Sequence, residues 1–214
     1  MSTSPRQPLL RPQAGFLIAL LVLAVAVRLL PYVLAHFGMN ITPDETNYPW
    51  GFSAFPAICL FGGACFADRR WAFAIPFAVL IVSDVGIGAL SGNLHWMIYP
   101  SQLIVYASYA MIVGVGFVLR PGRPFWAVGA AGLGASVLFY LTTNFGVWVC
   151  GDGTLYPKTP AGLWQCYVNA LPFFRNFVIG MAVFLPILFS PLAVSERESA
   201  DWDGDEALVP VRNA

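Results

Sequence analysis

Apolar runs long enough to cross a bilayer follow one another along almost the whole chain, separated by short polar segments. They fall at Ala14 to about Ala35, about Phe52 to Ala67, Trp71 to Leu90, about Trp96 to Leu119 and Phe125 to Phe145, each near the roughly 20 residues a spanning helix needs. The second is at the short limit. Prolines divide a last stretch, Ala161 to Leu192. Because proline suits the first turn of a helix, this stretch reads as a short interfacial helix, Ala161 to Leu171, followed by a sixth span, Pro172 to Pro191, bent at Pro186. The pattern predicts an all-α membrane protein with six transmembrane helices in one bundle. Residues 1–13 form a basic, Pro-rich cytoplasmic arm, residues 14–192 the transmembrane domain, and residues 193–214 an acidic tail without helical periodicity, expected to be disordered.

Composition agrees. Of the 214 residues, 58% are hydrophobic and 10% charged, against roughly 25% charged in soluble domains. Net charge is zero, so nothing points to nucleic acid as a partner, and the cations matter through their placement. With the N-terminus inside, the cytoplasmic segments hold Arg6, Arg11, Arg69, Arg70, Arg120, Arg123, Arg197 and Arg212, while the outer loops hold only Lys158. The positive-inside rule then gives a multi-pass protein of the cell (inner) membrane with both termini cytoplasmic. Residues 1–26 also read as a secretory signal, with Ala24-Val25-Ala26 as a small-residue cleavage site. The apolar run continues to Leu34, which favours an uncleaved anchor.

This topology gives three intramembrane charges, Arg28, Asp84 and Arg175, a common depth in the outer half of the bilayer. A charge near the bilayer centre costs about 2.5 to 3.5 kcal/mol on insertion scales, so such residues tend to face a pocket or one another. Pairing of Asp84 with one arginine would leave a surplus positive charge suited to an anionic ligand. The alternative is that the arginines snorkel to the interface and Asp84 ends a helix. Asn144, Trp148, Tyr167 and Asn176 lie on the same side, with Asn93, His95, Gln165 and Asn169 near them, and amides and aromatics of this kind orient small ligands in apolar pockets. The substrate-binding set is therefore Arg28, Asp84, Asn144, Trp148, Tyr167, Arg175 and Asn176.

Other chemistry is sparse. Cys59 and Cys65 read as packing residues, while Cys150 and Cys166 flank an outer loop and could either form a disulfide or remain free thiols. No Cys/His spacing suits zinc, the acidic run at Asp201 lacks calcium-loop spacing, and hydrolase, metalloprotease and phosphate-loop motifs are missing. No cofactor, no metal and no enzymatic activity are expected. Asn40-Ile41-Thr42 is formally a glycosylation sequon without functional weight. Ala130 and Gly134 form a small-xxx-small pair suited to helix packing, more within one chain than with a partner.

The blocks Leu60-Phe-Gly-Gly-Ala, Ser83-Asp84, Thr143-Asn144-Phe-Gly-Val-Trp148, Tyr156-Pro-Lys-Thr-Pro-Ala-Gly-Leu and Cys166-Tyr-Val-Asn-Ala-Leu-Pro-Phe-Phe-Arg175-Asn176 resemble an uncharacterised bacterial family of small polytopic membrane proteins that carries a provisional transport label. That family is similar in size and six-span layout to the substrate-binding S components of energy-coupling-factor vitamin transporters, a likeness at the level of fold. The resemblance implies a high-affinity membrane-embedded binder with its site near the outer face, partnered by a transmembrane coupling protein and cytoplasmic ATPases. The expected function is thus a binding or transport component for a small anionic molecule. The alternative is an assembly protein whose intramembrane charges pair with a partner subunit.

Overall fold

The computed structural model describes residues 10–12, 14–38, 53–66, 68–92, 97–119, 123–190 and 194–196. Most of the N-terminal arm, the acidic tail, the sequon, Asn93, His95 and Arg120 lie outside these residues. A strand β1 (Leu10–Pro12) is followed by seven helices: α1 (Ala14–His36), α2 (Phe55–Cys65), α3 (Arg69–Ser91), α4 (Gln102–Gly116), α5 (Phe125–Cys150), α6 (Pro160–Asn169) and α7 (Leu171–Leu188). A second short strand, β2 (Val194–Glu196), pairs antiparallel with β1, Arg11 opposite Ser195, and so brings the start of α1 and the end of α7 to one end of the bundle. The fold is otherwise helical, as expected.

Local chemistry sets the helix ends. Asp68 caps α3 by accepting a hydrogen bond from the Arg70 amide at 2.8 Å, and Gly92 ends it with φ 65°, a left-handed conformation that glycine tolerates. Thr159 caps α6, accepting from the Gly162 amide at 3.2 Å, and Pro160 opens it. The break before Pro172 falls where the sequence places it.

Among the described residues, three helices, α3, α5 and α7, are long and apolar enough to cross a membrane. The apolar stretch Ala14–Leu30 of α1, together with α2 and α4, is shorter. The expected second span contracts to 11 residues and the fourth to 15, because a hydropathy window registers apolar residues whether or not they are helical. Every residue of α2 from Phe55 to Gly63 is buried, so this helix is the core of the bundle, packed against α3, α4 and α7. Its approach to α4 depends on paired glycines. A Cβ on Gly63 would stand 2.1 Å from the Val113 carbonyl oxygen, and one on Gly116 would stand 2.3 Å from that of Leu60. The Ala130/Gly134 pair does not serve this purpose: both residues are exposed and Gly134 has open space beside it.

Contacts fix the helix directions. Arg28 and Leu29 of α1 meet Asp84 and Gly86 of α3, and Phe55 and Gly63 of α2 meet Tyr109 and Gly116 of α4, so each of these pairs runs parallel. Asp84 and Phe77 of α3 meet Gln102 and Tyr106 of α4, an antiparallel pair. Ile104 and Ser108 of α4 meet Gly146 and Thr142 of α5, also antiparallel. Gly132 and Phe139 of α5 meet Leu185 and Phe177 of α7, antiparallel again. The directions of α1, α2, α3, α4, α5 and α7 therefore alternate along the chain.

Candidate functional site

Asp84 is 2% exposed and stands in an apolar helix, a costly position unless its oxygens are met. They are met from two neighbouring helices. Arg28 of α1 forms a salt bridge to Oδ1 through Nη2. On α4, Gln102 Nε2 donates to Oδ2 at 3.0 Å and the Tyr106 hydroxyl donates to the same oxygen at 2.6 Å. Gln102 also donates to the Met97 carbonyl at 2.9 Å, tying the turn before α4 into the cluster.

The sequence builds this cluster by spacing. Gln102 and Tyr106 are four residues apart, as are Arg28 and Tyr32, so each pair shares one face of its helix. Tyr32 and Tyr99 lie within electrostatic reach of both charges. Glycines next to Asp84 let the partners close in. A Cβ on Gly86 would touch the Leu29 side chain at 3.0 Å, and one on Gly88 would touch that of Met97 at 2.9 Å. The result is asymmetric: the Asp84 side chain is 3% exposed, the Arg28 side chain 29%. A guanidinium carries five N–H donors in a planar fork, so an arginine anchored on one side and open on another can also bind an anion.

Of the seven candidates, the structure brings together Arg28 and Asp84. The others sit beyond α4, around α5, α6 and α7. Asn144 donates to the Tyr140 carbonyl at 2.8 Å and lines a cavity of about 240 Å³ with Phe139, Tyr140, Phe174 and Phe177. Tyr167 and Trp148 act as braces. The Tyr167 hydroxyl donates to the Leu141 carbonyl at 3.0 Å, and the Trp148 indole donates to the Pro157 carbonyl at 2.9 Å. Lys158 donates to the carbonyls of Trp148 and Val149, capping the end of α5, with its ammonium 5.5 Å from the Trp148 ring. In the same loop Asp152 accepts from the Thr154 hydroxyl and amide, which hold its carboxyl below the ordinary pKa of 3.8. Asn176 is half-buried and Arg175 is exposed on α7. Cys150 and Cys166 are free thiols, the latter buried with Sγ 3.4 Å from the Asn144 carbonyl oxygen.

Gln102 and Tyr106 are the members of the cluster that sequence reasoning missed. Their signal was present: two hydrogen-bonding side chains at i, i+4 within an apolar run, which in lipid need a partner. Between the cluster and the α5/α7 side runs a ladder of rings. Phe55 meets Tyr109 at 4.9 Å, Tyr109 meets Phe139 at 4.8 Å, and Phe139 stacks on Phe177 at 4.6 Å.

No curated protein and no solved structure matches the chain. A family model described as a family of unknown function (DUF6580) matches residues 9–202. Since the match covers most of its length, the chain belongs to this family of unknown function, DUF6580.

Proposed function

We propose that the protein is a membrane-embedded binding component for a small anionic molecule, held at Arg28 in the outer half of the bilayer and delivered for transport. The observation that carries this reading is the half-open Arg28 guanidinium fixed by a fully buried, fully satisfied Asp84. A purely structural ion pair gains nothing from leaving one partner accessible. A ligand site needs a charge that is oriented in advance yet reachable.

Topology supports the outer position. Six helices alternate in direction, and the β1–β2 pairing brings the two ends of the bundle's chain together, as an even number of crossings requires. Arg69 and Arg70 at the start of α3, and Arg123 just before α5, mark the cytoplasmic side. Asp84 lies about 22 Å along α3 from Arg69, above the bilayer midpoint. Coupling to an energy source would come from partner proteins such as a transmembrane coupling subunit with cytoplasmic ATPases, detectable by co-purification. The rival reading is an assembly protein pairing its charges with another subunit; against it, the Asp84 carboxylate is already met by Arg28, Gln102 and Tyr106.

Thermal unfolding of the purified chain against matched sets of small carboxylates, phosphates, neutral and cationic metabolites tests the proposal. A ligand at 100 times its dissociation constant adds about 2.7 kcal/mol of stability. Stabilisation by an anionic compound is expected, and its loss in the charge-neutral pair Arg28→Gln/Asp84→Asn. Silence across the anionic set from a folded protein would sink the idea.

A further inference from the structure

The two oxygens of Asp84 have different partners. Oδ2 accepts from Gln102 and Tyr106, which fixes the carboxyl to α4, whereas Oδ1 meets the Arg28 guanidinium. The Asp84 side chain is 3% exposed and that of Arg28 29%, so the guanidinium is the open member of the pair. An anion reaching Arg28 becomes a second claimant on a cation whose counter-charge is already in place. Sharing that one cation would leave a net negative charge among buried groups, and a carboxylate that loses its counter-ion away from water neutralises by taking a proton. Two anionic groups confined to one site hold a proton between them for the same reason.

The surroundings direct that proton to Asp84. Of the helices packed on α3, α1 brings Arg28 and Tyr32, α4 brings Tyr106 and Tyr109, and α2 holds only the thiols Cys59 and Cys65, while Tyr99 comes from the turn before α4. Phenols and thiols are already protonated at about neutral pH. Among the described residues, Asp84 is the one carboxylate inside a helix. We propose that the protein binds its anion together with a proton, which attaches to Asp84 Oδ1 as Arg28 turns from that oxygen to the anion. One anion and one proton enter, the guanidinium exchanges one negative partner for another, and the site stays neutral. Oδ2 keeps Gln102 and Tyr106, so the protonated carboxyl holds its position with the new O–H on the side of the anion. The substrate class is then an acid taken up as anion plus proton, and an inward proton gradient would draw it in. This inference rests on the anion site proposed at Arg28.

The test uses the purified full-length chain in a maltoside detergent, which carries no carbonyl group. Acetate, benzoate and nitrate serve as probes, monovalent anions whose charge is constant from about pH 6 to about pH 8. Infrared difference spectra with and without each anion read the carboxyl directly. For at least one probe, binding should bring up the carbonyl stretch of a protonated carboxyl. Its affinity, taken from the dose dependence of the unfolding temperature, should weaken about tenfold for each unit rise in pH. In Asp84→Asn the new band should be missing and the affinity constant with pH, since the amide imitates the protonated acid and leaves Arg28 to the anion. His36, exposed near the end of α1, titrates in the same range, and His36→Gln should keep the full pH dependence. Binding by the unaltered chain that ignores pH and raises no carboxyl band overturns the proton's part and leaves the anion site standing. A pH dependence retained by Asp84→Asn, or lost in His36→Gln, also overturns it. Binding of none of the probes by a folded chain overturns it together with the anion site. If Asp84→Asn fails to fold, the infrared band of the unaltered chain decides, its absence counting against the proposal.

Discussion

Truncating Asp84 to alanine removes the acceptor that satisfies three donors at once. The largest loss is the ion pair: breaking a buried pair from one side costs about 3 to 5 kcal/mol, because the remaining charge stays without compensation. Arg28 is only partly buried, at 29% exposure, so the lower figure, about 3 kcal/mol, applies. Tyr106 loses a 2.6 Å bond to a charged acceptor, adding about 1 kcal/mol, whereas Gln102 keeps the Met97 carbonyl. The sum is about 4 kcal/mol, or a fall in unfolding temperature of roughly 10 °C for a chain of this size. Intrinsic-fluorescence melting in lipid nanodiscs reads it. Arg28→Gln alone should cost a similar amount, since it strands a carboxylate that is almost wholly buried. The double variant Arg28→Gln/Asp84→Ala should lose far less than the sum, because neither charge is then left without its counter-charge. A coupling energy of at least about 2 kcal/mol is expected from the cycle. Additivity of the two single changes to within about 0.5 kcal/mol would refute the claim that these residues act as one unit.

Other outcomes follow from packing and exposure. Gly63→Ala should destabilise by about 1 to 3 kcal/mol or abolish folding, since its Cβ would lie 2.1 Å from a backbone oxygen, while Gly134→Ala should be neutral or slightly stabilising; parallel melts compare them. With Cys150 and Cys166 as free thiols, reduction should leave electrophoretic mobility unchanged. Maleimide should label half-exposed Cys150 faster than buried Cys166 in the native protein. Ser53, half-buried just before α2, should react as Ser53→Cys with a membrane-impermeant thiol reagent added from outside, and a bound anion should slow that reaction; labelling from the cytoplasmic side alone would contradict the proposed topology.

Much of the architecture was legible because it is written in local chemistry. Pro160, Pro172 and Gly92 set helix ends through backbone geometry, and the predicted ends of the interfacial helix and last span differ from the structure by one to three residues. Depth was legible too. Counting residues along two helices put Arg28 and Asp84 at one height, and they are paired. Azimuth was not. The rise per residue places a side chain along the membrane normal but says nothing of which neighbour its helix faces, and Arg175, at a similar counted depth, projects from a helix packed on α5 and α2. The bonds that Trp148 and Tyr167 make were hidden for a related reason. Their polar atoms are spent on the carbonyls of Pro157 and Leu141, contacts no periodicity reveals.

The shortness of α2 bears on the site more than on the count of spans. At 11 residues it covers about 16 Å, half a hydrocarbon core. Its C-terminal end lies three residues before Asp68, the cap of α3, so in the topology proposed above the helix would fill the cytoplasmic half and stop near the midplane at Phe55. There Phe55 packs on Tyr109, whose ring lies within electrostatic reach of Arg28 and Asp84. The charged cluster therefore stands just above the point where the central helix ends. Non-helical backbone at membrane depth is tolerated where protein buries it or water reaches it, and half-helix N-termini turned toward the midplane favour anionic groups. In that topology the half-open Arg28 guanidinium, oriented by Asp84, stands beside the N-terminal end of this short helix, where a half-helix N-terminus would add to its pull on an anion.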